Sequence, residues 1–546
     1  MNGLDSNRNA SFAMGIVLLS LALLTGCDSP RTGAGNGGAT ATASTGGSVL
    51  KLPQSAEPTT LDPGQVQDGP TIELLMHVFD GLIQWTPDNK LAPALAEKWE
   101  IGNGGRSYTF HLRQGVTFHN GRALTAEDFV YSLTRSLDPK TASPVVMVYL
   151  NDIVGAKEYR EGKAASVKGL EAPDSQTFRI TIDQPKAYFL AKLTYPTAYA
   201  VCKEAIEAEG GRVNEKSMVG TGPFKLVEYR RGDRVVLEAN AAYFEGAPKI
   251  PRLERRILLD VGTRHDKFEA GELDITDISM AMYRADKDNP ELAPLIHQFE
   301  RPSVYYMALN QRAFPPFKDK RVRQAFAHAV NKPQIIKTVH EGVPRQAEGI
   351  IPPGVPGYRE SFKGLPYDPE KAKKLLAEAG YPNGQGFPPL KLAFRASVED
   401  IKNTAVAIQD DLKQNLGIQV ELDETEWATF LKKRNSGEMP FYFLRWAADY
   451  LDPQNFLSTM LTSQSPENTL GYASAEFDRL CAAADVMQDT ARRMATYHQA
   501  EALVVDDAPW VPVYYQKDVE LWNRRLKGVE DSAMGHLPHK RTRFGD

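Results

Sequence analysis

Cysteine is scarce: Cys27, Cys202 and Cys481 are the only three in 546 residues. No two are spaced as metal ligands, so a zinc module and a disulfide-dense scaffold are both excluded. Ten histidines are scattered along the chain. His536 and His539 lie close together but straddle Pro538 and read as solvated side chains, not ligands. No metal and no cofactor are expected. An excess of positive charge is also lacking. The formal net charge is -5, which argues against nucleic acid as a partner. Short catalytic signatures are missing: there is no G-x-S-x-G, no P-loop and no H-E-x-x-H. The pairs Asp410-Asp411 and Asp506-Asp507 are adjacent, so they point different ways on any regular element and read as surface charge. A literal G-x-G-x-x-G at Gly33, Gly35 and Gly38 has no strand before it and no helix after it, which removes the dinucleotide reading.

What is present begins at the N-terminus. Ala10 to Leu24 is almost wholly apolar and follows a short polar stretch with Arg8 as its only basic residue. It is shorter than the roughly 20 residues a membrane span needs, so residues 1–26 read as a signal peptide. The stretch ends in Leu24-Thr25-Gly26-Cys27, which resembles the lipobox of bacterial lipoproteins. That resemblance implies lipidation of Cys27 as the mature N-terminus. Residues 27–48 then carry the anchor cysteine and a run of Gly, Ala, Thr and Ser, too poor in apolar bulk to offset its ordering entropy, so a flexible tether is expected. For Cys202 and Cys481 a disulfide and two buried thiols both stay open, the thiols being the simpler reading.

The remaining length exceeds a single core, which stops growing near 250–300 residues, so more than one lobe is expected. Thr125 with Asp128 resembles a capping box ahead of Phe129, Val130 and Leu133. Asp368-Pro369 opens a helix that Gly380 and Pro382 close. Leu390, Leu392 and Phe394 alternate as a strand. Ala405, Ile408, Leu412 and Leu416 form a helical stripe stopped at Gly417, and Ile418, Val420 and Leu422 alternate again. This is a strand–helix–strand unit, so α/β layering is predicted there. Before residue 300, short alternating stretches at Tyr108–Leu112, Phe178–Ile182 and Val235–Glu238 predict a mixed or antiparallel region.

An ordered series of motifs runs through the folded part. It comprises Glu57–Pro63, Phe79-Asp80-Gly81-Leu82, Tyr108–Val116, Thr125–Ser132, Gly220-Thr221-Gly222-Pro223-Phe224, Val322–Ala325, and Trp446-Ala447-Ala448-Asp449-Tyr450 followed by Asp452-Pro453. Together they resemble the peptide/nickel class of periplasmic binding proteins, the oligopeptide-binding branch most closely. The resemblance implies an α/β, periplasmic-binding-protein-like fold. Two lobes are joined by a hinge, with mixed sheets flanked by helices and an inserted subdomain. Lobe I is expected over 49–80, 205–306 and 517–546, the inserted subdomain over 81–204, and lobe II over 307–516.

In that family the aspartate matching Asp449 binds a peptide's α-ammonium group. Trp446 and Trp427 resemble pocket tryptophans, Ala447 lies in the same cleft segment, and Gly69 resembles a position whose backbone pairs with the ligand. Phe443 stands where the branch can place an arginine for a ligand carboxylate. Arg445 is near, but on the opposite face of an extended segment. The expected role is that of an extracytoplasmic solute-binding protein of an ABC importer. It is a monomer tied to the membrane through Cys27, capturing short peptides and delivering them to permease subunits, without being an enzyme. A cell-wall peptide, sugar, haem or nickel ligand on the same fold is the alternative, and a secreted hydrolase a distant one.

Overall fold

The computed structural model describes residues 49–545, so Cys27, the signal stretch and the tether lie outside the described residues. Three sheets organise the chain. The first has the order Val49–Gln54, Arg252–Ile257, Arg234–Ala239, Phe224–Arg230, with only the first pair parallel. The second, Ala96–Gly102, Ser107–Leu112, Thr177–Thr181, Leu170–Asp174, is antiparallel throughout. The third has seven strands. Its main path runs Ile275–Asp277, Trp510–Trp522, Ile296–Leu309, Phe441–Ala447, Leu390–Arg395, Val420–Thr425, and Arg345–Gln346 adds to Trp510–Trp522.

Alternation explains the sheets. Tyr108, Phe110 and Leu112 point inward from Ser107–Leu112, and their neighbours do not. In the third sheet, Val304, Tyr306 and Ala308 enter the core on one face, and Met307 and Leu309 enter the other. A sheet buried on both faces between helices is the expected α/β layer. The predicted strand–helix–strand unit is there: Leu390–Arg395 pairs in parallel with Val420–Thr425, and the helix Glu399–Leu416 connects them. Gly417 takes φ 69° to end that helix. The helices at Ala126–Leu137 and Pro369–Glu378 also start where their caps predict. The Thr125 N–H donates to the Asp128 carboxylate at 2.8 Å, and the Lys371 N–H donates to Asp368 at 3.0 Å.

Leu82 to Cys202 contribute one apolar core, which also contains Tyr450. Residues between Val304 and Tyr515 form two cores on the faces of the seven-stranded sheet. The first sheet packs a further one with Leu50, Phe224 and Leu253. Cys202 and Cys481 are buried free thiols. One expectation is corrected. His539 is buried, not solvated: its ring packs 5.6 Å from that of His77, and its Nδ1 meets Thr542 Oγ1 at 3.1 Å. The tail folds back onto the end of the helix Gly69–Met76 instead of trailing in solvent. Among the described residues, no helix is long and apolar enough to cross a membrane.

Two of the sequence motifs meet. The segment Gly220–Phe224 runs against His77–Asp80. The Gly222 N–H donates to the Val78 carbonyl and the Phe224 N–H to the His77 carbonyl, both at 2.9 Å, and Thr221 Oγ1 donates to Asp80 Oδ2 at 2.9 Å. A Cβ at Gly220 would fall inside the Val78 carbonyl, so backbone contact explains this glycine.

Candidate functional site

The Trp446–Tyr450 segment leaves the sheet at the junction of two cores. Phe441–Ala447 is a strand, and Ala447 is its last residue, opposite Ser303. Beyond it, Ala448 and Leu451 pack with the core of the seven-stranded sheet, whereas Tyr450 packs with the 82–202 core, its ring 6.1 Å from Tyr188. Asp449 lies between them.

Asn455, fully buried, fixes this turn. Its Oδ1 accepts from the Asp449 N–H at 3.1 Å and from Trp446 Nε1 at 3.2 Å, and its Nδ2 donates to Asp449 Oδ2 at 3.3 Å. The Tyr149 hydroxyl lies close enough to the Asp449 carboxylate to favour its charged form. Tyr149 stacks on Tyr195 with centroids 3.7 Å apart, and the Tyr195 hydroxyl donates to the Val66 carbonyl at 3.2 Å. A continuous chain of contacts therefore joins Asp449 to Val66 through Tyr149 and Tyr195.

No Lys, Arg or His forms an ion pair with Asp449 among the described residues. Burial pushes its carboxyl up to about 6, and the nearby negative charge of Glu467 adds to the effect. The Asn455 hydrogen bond and the nearby Tyr149 hydroxyl oppose it. The negative charge also pushes the Tyr149 and Tyr195 hydroxyls upward, after burial itself. A carboxylate enclosed by aromatic rings with no counter-ion is a cation acceptor in waiting.

The strand edge beside it is open. Phe441–Ala447 pairs along its length with Ile296–Leu309, but the Leu390–Arg395 strand reaches its other side only at Ala393, opposite Tyr442. Leu444 to Ala447 therefore present backbone groups to which an extended chain can add as a strand. Trp446 and Trp427 are half-buried against the same core. Trp427 opens the helix Trp427–Asn435, stacks on Phe430 at 5.8 Å and lies under the Arg395 guanidinium at 4.9 Å. Gly69 is exposed at the start of the helix Gly69–Met76. Asp68 caps that helix by accepting from the Thr71 N–H at 3.0 Å. Asp449, Trp446, Ala447 and Asn455 form one cluster. Gly69 connects to it through Val66 and Tyr195, and Trp427 stands further along the sheet.

Tyr149, Tyr195 and Asn455 escaped the sequence reading. Asn455 had a usable signal, because it lies two residues beyond the Asp452-Pro453 pair that closes a quoted motif. Phe443 is buried and stacks on Tyr305 at 5.5 Å, so it belongs to the core.

The raised Asp449 carboxyl gives a pH dependence with a definite sign. An ammonium ligand pairs with the ionised acid. Below about 6 the acid is protonated in the empty site, so binding must expel a proton. Affinity for a peptide with a free amine should be flat between about pH 6 and 8. It should fall up to about tenfold per unit below 6, and again above the amine's pKa of roughly 8. Titration calorimetry in buffers of different ionisation enthalpy checks this. Constant affinity and no proton release at pH 5 would contradict it.

Comparison with known proteins gives a consistent picture. A profile described as "Bacterial extracellular solute-binding proteins, family 5 Middle" matches residues 90–468. Dipeptide-binding protein DppE of Bacillus subtilis (strain 168) is 30% identical over 97% of this chain and 98% of its own length. Periplasmic oligopeptide-binding protein OppA of Escherichia coli (strain K12) is 33% identical over 85% of this chain and 87% of its own. The E. coli murein tripeptide binding protein MppA superposes with a TM-score of 0.81 at 26% identity, covering 91% of this chain and 99% of that one. Its unliganded open form scores 0.72 at the same identity, covering 91% and 98%. The present arrangement of lobes is thus nearer to the former than to the open form. With the match extending over most of the folded sequence, the chain belongs to the family 5 bacterial extracellular solute-binding proteins.

Proposed function

We propose that this protein is the extracytoplasmic component of an ABC importer, which captures short peptides between its lobes and hands them to membrane permease subunits. The observation that carries the reading is Asp449, an enclosed carboxyl without a cation partner at the end of an unpaired strand edge. The acid suits an α-ammonium group, and the edge suits the peptide's own N–H and C=O groups whatever its side chains. The names of DppE and OppA point the same way. Trp446 and Trp427 wall side-chain space, and Ala447 and Gly69 offer backbone. The protein binds stoichiometrically and turns nothing over.

Within this reading lobe I comprises 49–80, 205–306 and 517–546, the inserted subdomain 81–204, and lobe II 307–516. The crossings fall in the adjacent strands Ile296–Leu309 and Trp510–Trp522, whose register shifts between Glu300 and Val304. There Arg301 binds Asp518 at 2.6 Å and Asp531 at 2.7 Å. Closure around ligand is a bend at that irregularity. Cys27 carries a lipid anchor, 28–48 is the tether, and the protein works as a monomer.

Mass spectrometry of ligand released from the purified protein tests the function. Short peptides with free amino termini are expected, and a sugar, haem or metal in stoichiometric amount would overturn the reading. For the anchor, Cys27→Ala should move the protein from the membrane to the soluble fraction. Equal recovery of both forms in the soluble fraction would refute it.

A further inference from the structure

The helices Val261–Glu269 and Met280–Asp286 precede and follow the strand Ile275–Asp277, and Phe268, Ile278 and Met280 pack them into one small core. Folding brings a histidine and three acids together there. His265 Nε2 lies 2.9 Å from Asp286 Oδ2, across the two helices. On the other side of the ring, His265 Nδ1 lies 3.6 Å from Glu269 Oε2, one turn further along its own helix. Asp266 joins them, since one ligand atom each from His265, Asp266 and Glu269 lies within 4.8 Å of the others. None of these residues belongs to the Asp449 cluster.

A histidine and a glutamate four residues apart on a helix are common as a simple ion pair. This pair differs in what stands behind the ring. Asp286 is buried, and its carboxylate touches only His265 among the described residues. A carboxylate accepts and does not donate, so Nε2 carries the ring hydrogen and Nδ1 keeps its lone pair. A protonated imidazole would draw Glu269 in to about 2.8 Å. At 3.6 Å there is no hydrogen bond. Ligands about 2.0–2.2 Å from a tetrahedral ion stand roughly 3.3–3.6 Å from one another, which is the spacing seen. A buried acid holding the far nitrogen is also how metal-binding imidazoles are oriented. The charge agrees. Arg264 is committed to Asp277 at 2.7 Å and Lys267 to Glu272 at 2.8 Å. No lysine or arginine pairs with Asp266, Glu269 or Asp286 among the described residues.

We propose that His265, Asp266 and Glu269 bind one divalent transition-metal ion of the zinc type, with Asp286 orienting the imidazole. Nδ1 and the two exposed carboxylates supply three ligands, and water completes the tetrahedron from the solvent side. An imidazole nitrogen with only two carboxylates suits zinc better than magnesium or calcium, which take six or more oxygens. The ion is structural. It fastens the last turn of Val261–Glu269 to a ring that the end of Met280–Asp286 already holds. Spacing along the chain did not reveal it, because only one histidine takes part and the acid behind that histidine arrives from the next helix.

The test is calorimetry with zinc chloride at pH 7 on the full mature chain, untagged and stripped of metal by a chelator. One ion per chain with micromolar affinity is expected. A hundredfold excess over Kd should raise the melting temperature by about 2–3 °C, whereas magnesium and calcium at the same concentration leave it unchanged. Cobalt(II) in place of zinc should give the visible absorption of a four-coordinate ion. His265→Gln and Glu269→Gln should each weaken zinc binding about tenfold or more. Asp286→Asn keeps the shape behind the ring and removes its charge, and should cost about 10–100-fold. Glu269 is about half exposed, so its variant keeps the fold even if the loss of His265 disturbs it. Peptide affinity should stay the same in every variant. Zinc binding no tighter than millimolar overturns the site, as does binding that is equally tight in His265→Gln and Glu269→Gln. Undiminished affinity in Asp286→Asn overturns the orienting role.

Discussion

Replacing Asp449 by Asn should weaken peptide binding between about 30-fold and several thousand-fold, the cost of stripping one partner from a buried charge pair, roughly 2–5 kcal/mol. Acetylating the peptide's amine should cost the wild type a similar amount. The two changes together should cost little more than one, because both remove the same interaction. Calorimetry on the four combinations measures the coupling, and acetylated and free peptides binding the wild type equally well would dismiss the assignment.

A second readout separates this role from a structural one. Folding raises the Asp449 carboxyl from its ordinary value of 3.8 to about 6. In the empty protein the ionised acid therefore opposes folding at neutral pH, by something on the order of 3 kcal/mol. That penalty disappears as the pH falls from about 6 towards 4, where the folded state holds a proton that the unfolded chain has lost. Asp449→Asn removes the penalty outright. The empty variant should melt above the empty wild type at pH 7, even though peptide no longer raises its melting temperature. A structural aspartate would give the opposite shift.

Gly220→Ala should destabilise the protein by roughly 3 kcal/mol or more, at the upper end of overpacking costs. The new methyl group meets the Val78 carbonyl, a backbone atom that no rotamer change can move aside. That carbonyl also accepts the Gly222 N–H at 2.9 Å, so any retreat breaks a contact between two distant segments. A melting midpoint lower by about 5 °C or more, or loss of soluble protein, is expected. Gly69→Ala is the matched control. Nothing lies within 4 Å of its added Cβ, and it opens a helix, so stability should change by about 0.5 kcal/mol or less. Equal melting points for both variants would show that the contact at Gly220 relaxes at little cost.

Much of the fold was legible because its signals are local. Asp368-Pro369, Gly417 and the alternation at Leu390–Phe394 announce elements through capping and pleat geometry that depend only on near neighbours. The partnership of Gly220 with Val78 joins segments far apart in sequence. Its motif could be noticed, but its reason could not be read. The site divides in the same way. Asp449 was found through resemblance alone, since composition and spacing do not distinguish it from a surface aspartate. Tyr149 and Tyr195 reach it from the core built by Leu82 to Cys202, and nothing along the chain links them to residue 449. The expectation that Arg445 faces away from Phe443 fails, because residues two apart on a strand share a face, and both lie against Tyr305. The reading of His539 as solvated failed because its burial depends on His77 at the other end of the chain.

The unpaired edge from Leu444 to Ala447 carries a hazard as well as a use. An exposed row of backbone donors and acceptors is a template for any extended chain, including a second copy of the protein or a misfolded neighbour. Enclosed between lobes and filled by a short guest, it is harmless. Laid open and empty, it is the place where self-association would begin. Charges bracket it, with Arg395 and Arg445 at one end and Asp449 at the other, and a long apolar strand could not add there without burying them. Those charges would thus discourage fibrillar growth, and the protein should tolerate concentration better when saturated with ligand than when stripped of it.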